Sequence, residues 1–233
     1  MGLLQGRIAV VTGASRGIGR AIASSFARAG ARVAGCSLGE RKGSFMDDLT
    51  TEEKGRCLHA TCDVRVGSEV LRFRDEVHAA LGAPDIVVNN AGTVARCSAL
   101  DLPLETWNDV LASNLTGTFL VTQAFLPTMK ARGSGRIINL ASIAGRTGTA
   151  MLSAYCAAKH GVVGLTRALA EEFRDDGIAV NAICPGSVDT EMLKQGLPGG
   201  APKMTADDIA RTALFLASEA PLALTGACID VFG

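Results

Sequence analysis

Seven short apolar runs, spaced along the whole of this 233-residue chain, constrain its fold more than any other feature of the sequence. The runs are rich in β-branched residues, and longer segments with the period of a helix lie between them. Runs that are apolar throughout are typical of parallel strands, which are covered on both faces. Strands that alternate with helices predict an α/β fold, in which right-handed crossovers build a doubly wound, seven-stranded parallel sheet with helices on both faces. The predicted strands are Ile8–Thr12, Arg32–Cys36, Cys57–Thr61, Ile86–Asn89, Arg136–Leu140, Ile178–Ile183 and Ala227–Val231.

No linker, fixed-period repeat or low-complexity tract divides the chain, so residues 1–233 are expected to form a single domain. Gly39–Gly55 is the weakest helical segment, because it contains Gly43 and several Asp and Thr residues. Thr190–Met204 is rich in glycine and proline, which predicts a mobile loop. Since it follows the end of a predicted strand, where ligands bind in this architecture, residues 188–204 are interpreted as the substrate loop.

Charge and composition argue against several classes of partner and site. The 23 Lys and Arg residues balance the 23 Asp and Glu residues without any block of like charge, which argues against nucleic acid or an anionic membrane. No apolar run reaches the roughly 18 residues of a membrane span, and the N-terminus does not resemble a signal peptide. The seven cysteines are scattered and form no ligand spacing with His59, His78 or His160, so no metal site is predicted. Unpaired, scattered cysteines indicate a reducing compartment, and we expect a cytoplasmic protein.

A glycine-rich turn joins the first predicted strand to the first predicted helix. Its sequence is Thr12-Gly-Ala-Ser-Arg-Gly-Ile-Gly19. Glycines permit a tight turn and let phosphate groups approach the backbone and the N-terminus of the helix. In this position the turn predicts dinucleotide binding, although the turn alone is also compatible with a plain strand-to-helix connection.

Tyr155 and Lys159 are four residues apart in an apolar helical pattern, which places both side chains on one helix face. An ammonium close to a phenol favours the phenolate and lowers the pKa of the tyrosine, so Tyr155 is a candidate general acid and base. Ser142 follows a predicted strand and is a candidate to hold the reacting oxygen from the other side. The Tyr-x-x-x-Lys spacing alone also occurs on ordinary amphipathic helices, and the order of the other motifs favours the catalytic interpretation.

Taken in order, these motifs resemble the short-chain dehydrogenase/reductase family over essentially the whole chain, and the 3-oxoacyl-acyl-carrier-protein reductase type most. Three more motifs carry the resemblance: Asp63, Asn89-Asn90-Ala91-Gly92 and Pro185-Gly186. The resemblance implies a Rossmann-like domain. The catalytic residues that it implies are Asn114, Ser142, Tyr155 and Lys159. The cofactor-binding residues that it implies are Gly13, Ser15, Arg16, Gly17, Ile18, Gly19, Ser37, Asp63, Val64, Asn90, Ala91, Gly92, Tyr155, Lys159, Pro185, Gly186, Val188 and Thr190.

The resemblance also implies roles for individual residues. Asp63 contacts the adenine, and the turn Pro185–Thr190 flanks the nicotinamide. Lys159 holds the nicotinamide ribose as well as tuning Tyr155. The backbone of Asn114 holds a water molecule that returns protons to the lysine.

The choice of nicotinamide cofactor depends on the end of the second strand. Ser37 stands where an acidic residue would accept the ribose hydroxyls of NAD, and Arg16 lies in the glycine turn, where it can pair with a 2′-phosphate. Glu40 lies 21 residues after Gly19, near the distance of a ribose-binding acid, and is the competing signal. We interpret the pattern as NADP(H) in preference to NAD(H).

These features predict an NADP(H)-dependent enzyme that interconverts a carbonyl and a secondary alcohol, with Tyr155 as general acid/base. The sequence leaves the substrate open among a 3-oxoacyl thioester, a ketone, a quinone, and a sugar or other alcohol. Asp175-Asp176-Gly177 stands where a carrier-docking enzyme would carry basic residues, which leaves Arg132 and Arg136 as candidate partners of an acidic carrier. A non-catalytic NADP-binding sensor is the rival class, since fold alone does not establish function. The resemblance further implies a homo-oligomer, a dimer or tetramer.

Overall fold

The computed structural model describes residues 2–39 and 43–233. The strands are β1 Ile8–Thr12, β2 Arg32–Ser37, β3 Cys57–Thr61, β4 Ile86–Asn89, β5 Gly135–Leu140, β6 Ile178–Pro185 and β7 Cys228–Val231. All pair in parallel, in the order β3-β2-β1-β4-β5-β6-β7. The predicted fold class is therefore confirmed, and the strand bounds differ from the prediction by two residues at most.

The α-helices are α1 Gly17–Arg28, α2 Thr51–Lys54, α3 Gly67–Ala80, α4 Leu104–Leu111, α5 Gly117–Arg132, α6 Ser153–Glu172, α7 Glu191–Gly196 and α8 Ala206–Ser218. Short 3₁₀ helices span Phe45–Asp48, Ile143–Gly145, Arg174–Asp176 and Leu222–Leu224. Among the described residues, no helix is long and apolar enough to cross a membrane.

Two layers of helices cover the sheet. On one face, α1 and α8 pack against each other and against the sheet, with Phe26 and Phe45 fully buried between the layers. On the other face, α3 and α5 enclose Phe73 and Phe125, whose rings meet edge to face at 6.3 Å between centroids. Burial of this apolar surface on both faces explains why the strands are apolar throughout.

The order of the strands creates a crevice at one edge of the sheet. β1 is bonded to β2 on one side and to β4 on the other, so the connections after β1 and β4 leave in opposite directions. In an open α/β sheet, such a reversal leaves a space beyond the carboxyl ends of the two strands, where ligands bind. The glycine turn follows β1 and the Asn90–Gly92 segment follows β4, so both lie at this crevice.

A π-helical turn at Ala112–Thr116 connects α4 to α5. Asn114, one of the predicted catalytic residues, lies in this turn. α5 ends at Gly133, which takes the left-handed conformation (φ 67°) that closes many helices.

The segment after β2 is short and irregular, as the sequence predicted. It forms the 3₁₀ helix Phe45–Asp48 and the single turn α2, and each begins with a reciprocal capping box, at Ser44 and Thr50. The Arg20 side chain on α1 holds this segment against α1 by donating two hydrogen bonds to Asp48, the shorter of which is 2.6 Å. Glu40, the competing ribose-binding candidate, lies outside the described residues.

The predicted mobile loop over Thr190–Met204 is wrong for its first part, which forms α7. The Thr190 hydroxyl accepts a hydrogen bond from the backbone N–H of Leu193 and so begins this helix. Val188 pairs with Met204 in an isolated parallel bridge, which closes the segment at its base. Of the glycines and prolines that suggested a loop, Gly196 is the last residue of the helix and the others follow it.

Candidate active site

A cleft of about 570 Å³ opens at the carboxyl ends of β1 and β4. Most of the predicted cofactor-binding residues line it. They are Gly13, Ser15, Arg16, Gly17, Ile18, Ser37, Asp63, Val64, Asn90, Ala91, Gly92, Tyr155, Lys159, Pro185 and Thr190. Five predicted site residues do not line it: Gly19, Asn114, Ser142, Gly186 and Val188.

The glycine turn leaves room for a ligand at the start of α1. Gly13 (φ 68°) and Gly17 (φ 54°) have positive φ values that favour glycine. α1 begins without a side-chain cap and without an acidic residue in its first turn, so its first N–H groups face the cleft beside a positive helix dipole. This combination suits an anionic group such as a phosphate.

Gly19 serves the packing of the turn. A Cβ atom there would lie 2.2 Å from the side-chain nitrogen of Asn90 and 2.3 Å from the carbonyl oxygen of Gly13. The Asn90 amide in turn donates to the carbonyl of Thr12 at 2.9 Å, and the Thr12 hydroxyl accepts from the backbone of Asn90 at 3.0 Å. Gly19 therefore lets α1 pack closely against the ends of β1 and β4, and its part in cofactor binding stays a prediction.

Lys159 lies at the bottom of the cleft and is 5% exposed. Its amine donates a hydrogen bond of 2.6 Å to the carbonyl oxygen of Leu140, at the end of β5. The amine is 5.6 Å from the centre of the Tyr155 ring, one turn earlier on α6. Burial lowers the pKa of Lys159 to about 8.

The phenol of Tyr155 is half-buried at the same end of the cleft. Burial raises the pKa of Tyr155 to about 12, and a hydrogen bond with the Ser142 hydroxyl offsets part of that rise. The sequence predicted the opposite direction, because it considered only the lysine charge. The structure corrects this: the Lys159 amine is bonded to a backbone carbonyl, and the cost of burying a phenolate outweighs its attraction.

The sequence reasoning missed Met192. The Tyr155 hydroxyl donates to the sulfur of Met192 at 3.9 Å, so α7 lies over the phenol. Gly196 at the end of α7 faces Val94, since a Cβ atom there would lie 3.2 Å from a Val94 methyl group. Met192 and Val94 also line the cleft. No motif marks these residues, because their position depends on how α7 packs.

Ser142 and Asn114 do not line the cleft, but each is hydrogen-bonded to residues that do. Ser142 caps the 3₁₀ helix that follows β5 and accepts from the backbone of Ala144 at 3.1 Å, besides facing Tyr155. Asn114 is fully buried, and its amide donates to the carbonyls of Thr93 at 2.8 Å and Val110 at 2.9 Å. The side-chain oxygen of Asn114 has no partner among the described residues. The backbone carbonyl of Asn114 accepts a hydrogen bond of 2.8 Å from the Thr118 hydroxyl.

Gly186 and Val188 do not line the cleft and pack within the protein, and their part in cofactor binding stays a prediction. A Cβ atom at Gly186 would lie 3.4 Å from the backbone of Phe232, and Val188 is 4% exposed in the core. Of the predicted turn Pro185–Thr190, the residues Pro185, Asp189 and Thr190 line the cleft.

Asp63 lies at the far end of the cleft from Tyr155. The Arg65 guanidinium binds its carboxylate, with the shortest hydrogen bond 2.8 Å, and keeps the pKa of Asp63 below its usual value. Arg65 also reaches Asp109 on α4 at 3.3 Å. Arg65 and Asp109 both line the cleft, and the sequence reasoning named neither.

Among residues 2–39 and 43–233, no group of three or more His, Cys, Asp or Glu side chains could hold a metal ion. All seven cysteines are free thiols.

Comparison with known proteins supports the same class of site. The family model described as short chain dehydrogenase matches residues 7–198. The chain is 38% identical to D-threitol dehydrogenase of Mycolicibacterium smegmatis, with 99% of this chain and 93% of that protein aligned. It is 35% identical to the 3-oxoacyl-[acyl-carrier-protein] reductase FabG of Escherichia coli, with 98% and 97% aligned. A crystal structure of actinorhodin polyketide ketoreductase with NADPH superposes with a TM-score of 0.88 at 33% identity, over 97% of this chain and 96% of that one.

Proposed function

Because this chain belongs to the short-chain dehydrogenase family, we propose that it is an NADP(H)-dependent oxidoreductase that interconverts a carbonyl and a secondary alcohol by hydride transfer, with Tyr155 as general acid/base. One observation carries the proposal. The Tyr155 phenol and the Lys159 amine line the same cleft as the uncapped N-terminus of α1.

The residues that line the cleft fit a nicotinamide dinucleotide. The glycine turn and the N-terminus of α1 suit its pyrophosphate, and Asp63 and Val64 lie at the adenine end. Gly92 lets the Asn114 side chain of the π turn pack closely against the cleft lining, because a Cβ atom at Gly92 would lie 2.4 Å from the Asn114 side-chain oxygen. When bound, the cofactor supplies or accepts the hydride.

Three side chains act on the substrate oxygen in this proposal. Tyr155, whose pKa of about 12 keeps it protonated at neutral pH, donates its proton as negative charge develops on that oxygen. The Ser142 hydroxyl, which faces the phenol, donates a second hydrogen bond and directs the oxygen. Lys159, while protonated, provides a positive charge that stabilises the phenolate left behind.

The preference for NADP(H) rests on two cleft residues. Arg16 is exposed at the glycine turn, and a guanidinium is the preferred partner of a phosphate. Ser37 ends β2 with a neutral hydroxyl that does not repel a 2′-phosphate. The ketoreductase structure with NADPH is consistent with this preference.

We propose a free small carbonyl compound, in preference to a carrier-bound thioester. Met192 and Val94 give the cleft an apolar wall beside Tyr155. Both candidate contacts for an acidic carrier are engaged within the chain: Arg132 donates to the carbonyl of Pro84 at 2.8 Å, and Arg136 donates to the carbonyl of Ala220 at 2.7 Å. The relatives act on a polyol in one case and an acyl thioester in another, so both classes belong in the test.

The test is a comparison of initial rates with NADPH on an acetoacetyl thioester, small diketones, quinones and, in the oxidising direction, polyols. We expect NADPH oxidation on at least one free carbonyl compound, and a lower kcat/KM with NADH. Binding of NADPH without turnover of any compound would favour the sensor, and the thioester as the best substrate would overturn the proposed substrate class.

We also propose a homo-oligomer and a cytoplasmic location. Phe119 on α5 and Phe232 near the chain end are each more than two-fifths exposed, at 41% and 43%, and apolar side chains of this size are common at subunit contacts. The free thiols suit a reducing compartment. Light scattering of the purified chain tests the proposed homo-oligomer, and a monomer would contradict it.

A further inference from the structure

A hydrogen-bonded row of three side chains, Ser37, His59 and Ser44, lies beside the end of β2. The Nε2 atom of His59 is 2.9 Å from the Ser37 hydroxyl, and its Nδ1 atom is 2.9 Å from the Ser44 hydroxyl. His59 pairs in register with Gly35, two residues before Ser37, so His59 and Ser37 project from the same face of the sheet. Both ring nitrogens of His59 are therefore bonded to serine hydroxyls.

The row lies between two cavities. Ser37 lines the cofactor cleft, and it also lines a second cavity of about 380 Å³. His59 and Ser44 line only the second cavity. Within the row, Ser37 is thus the member that can contact a ligand in the cleft, and His59 acts on that ligand through Ser37.

The surroundings hold the imidazole in one orientation. The Phe45 ring stacks on it, with 5.8 Å between ring centroids and an angle of 27° between the ring planes. Ser44 caps the 3₁₀ helix, and its backbone N–H donates to the Asp47 carboxylate at 2.8 Å. Since both serines and the ring are fixed, the hydrogen-bond direction in the row depends on where His59 carries its hydrogen.

A neutral imidazole has one N–H and one lone pair, so it donates to one serine and accepts from the other. When Nε2 carries the hydrogen, the Ser37 oxygen accepts from it, and the Ser37 hydroxyl hydrogen is available to the cleft. When Nε2 accepts, the Ser37 hydrogen points at the ring, and only lone pairs face the cleft. A fully ionised phosphate only accepts hydrogen bonds, whereas a ribose hydroxyl also donates, so the two arrangements suit different 2′ substituents.

We propose that His59 is a positioning residue that makes Ser37 a hydrogen-bond donor to the 2′-phosphate of the adenosine half of the cofactor. The inference rests on the proposed NADP(H) preference and names the residues behind it. It adds a neutral hydrogen-bond donor at the end of β2 to the charged donor that Arg16 provides at the glycine turn.

Protonation of His59 would strengthen this contact, because an imidazolium donates from both nitrogens and leaves both serine hydrogens free. Burial lowers the pKa of His59, and the charge of Asp47 opposes that shift. The residues of β2 next to the His59 ring, Gly35 and Ser37, are uncharged. Glu40, Arg41 and Lys42 lie outside the described residues. A 2′-phosphate next to Ser37 would favour the protonated ring.

Calorimetric titration of the full chain with 2′,5′-ADP and with 5′-AMP tests the inference without any hydride transfer. The two nucleotides differ in the 2′-phosphate alone. We expect tighter binding of 2′,5′-ADP, and Ser37→Ala and His59→Phe should each weaken it about tenfold, the loss of one hydrogen bond to a charged group, with 5′-AMP unchanged. The double variant should bind 2′,5′-ADP no more weakly than Ser37→Ala, because His59 acts through Ser37.

His59→Gln provides the matched variant, since glutamine has a donor and an acceptor but does not titrate. We expect the affinity ratio of 2′,5′-ADP to 5′-AMP to rise for the wild type relative to His59→Gln as the pH falls from about 8 to about 6. The titration of the phosphate itself is common to both proteins and cancels. Should His59→Phe fail to fold by circular dichroism, this comparison alone decides the question.

Equal weakening of both nucleotides by His59→Phe would show a structural role and overturn the inference. So would an affinity ratio that changes with pH in the same way in the wild type and in His59→Gln, or the absence of tighter 2′,5′-ADP binding by the wild type. A chain that discriminates the two nucleotides but reduces no carbonyl compound would contradict the proposed function alone. A chain that reduces carbonyls with NADPH and binds 2′,5′-ADP independently of His59 would contradict this inference alone.

Discussion

The amine of Lys159 donates a hydrogen bond of 2.6 Å to the carbonyl oxygen of Leu140. This bond connects α6 to the last residue of β5. This bond fixes the position of the amine at 5.6 Å from the Tyr155 ring centre. It also draws the amine toward the backbone, so the lysine charge stabilises the phenolate less than a direct contact would. Burial then determines both pKa values, which move toward the neutral forms, to about 12 for Tyr155 and about 8 for Lys159.

The first prediction concerns Tyr155→Phe, which removes the proton donor and keeps the ring. We expect kcat for carbonyl reduction to fall by about 10²–10⁴-fold, the usual contribution of a general acid. NADPH affinity, measured by fluorescence, should stay within about twofold, because the ring still fills its place on α6. Ala157→Ser, at an exposed position two residues away on the same helix, is the control and should leave both quantities unchanged. Near-normal turnover in Tyr155→Phe would refute the role of the phenol.

The strands could be predicted from the sequence to within two residues, because burial on both sheet faces requires runs without polar interruption. The π turn at Ala112–Thr116 could not, since the apolar pattern continues through it and an i→i+5 bond has no residue signature. The sequence did not predict α7, because Gly199, Gly200 and their neighbours favour a loop, whereas the helix depends on its N-cap, Thr190.

Much of the candidate site could also be predicted, since the residues that follow consecutive strands meet at one sheet edge. What could not be predicted depends on contacts between distant segments. Met192 reaches Tyr155 only because α7 packs over the cleft. The direction of the Tyr155 pKa shift depends on burial, which no spacing reveals. The close packing of Gly19 could not be predicted from its motif, because its neighbour Asn90 follows β4, a different strand from the one that precedes the glycine turn.

The second prediction uses the pH dependence of stability to measure the burial of Lys159. The pKa of Lys159 is about 8 when folded, against 10.5 for the free group. Below about pH 8 both states are protonated, and the cost of burying the charge is fully present. As the pH rises from 8 toward 10.5 the unfolded state holds more protons than the folded state, so this residue adds stability with increasing pH.

Comparison with Lys159→Met isolates this effect. Between pH 8 and about pH 9.5, the free energy of unfolding of the wild type should rise by about 2 kcal/mol relative to that of Lys159→Met. Ionisation of Tyr155 and Cys184, whose pKa values are raised by burial, acts in the opposite direction but is common to both proteins. Urea unfolding at the two pH values measures the difference. A difference that does not change with pH would mean that Lys159 titrates normally.

The third prediction separates two glycines by what surrounds them. Gly19→Ala would place a Cβ atom 2.2 Å from Asn90 and 2.3 Å from the backbone of Gly13, so we expect a loss of about 1–3 kcal/mol in the free energy of unfolding. Gly164→Ala, in α6, meets no atom within 4 Å and should gain up to about 1 kcal/mol from helix propensity. Urea unfolding of both variants shows whether the free energy of unfolding falls for Gly19→Ala and rises for Gly164→Ala. Two losses of similar size would mean that position 19 has no special packing role.

The fourth prediction tests the charge at the glycine turn. Arg16→Ala should lower kcat/KM for NADPH by about tenfold, because it removes a charged hydrogen-bond donor to the 2′-phosphate, and should change kcat/KM for NADH by less than about twofold. Arg167→Ala removes the same charge from an exposed position on α6 and should leave both values unchanged. The effect of Arg16→Ala should also diminish at high salt, since the side chain is exposed and its charge is screened. Equal losses with both cofactors would place Arg16 at the pyrophosphate and would remove its part in the NADP(H) preference.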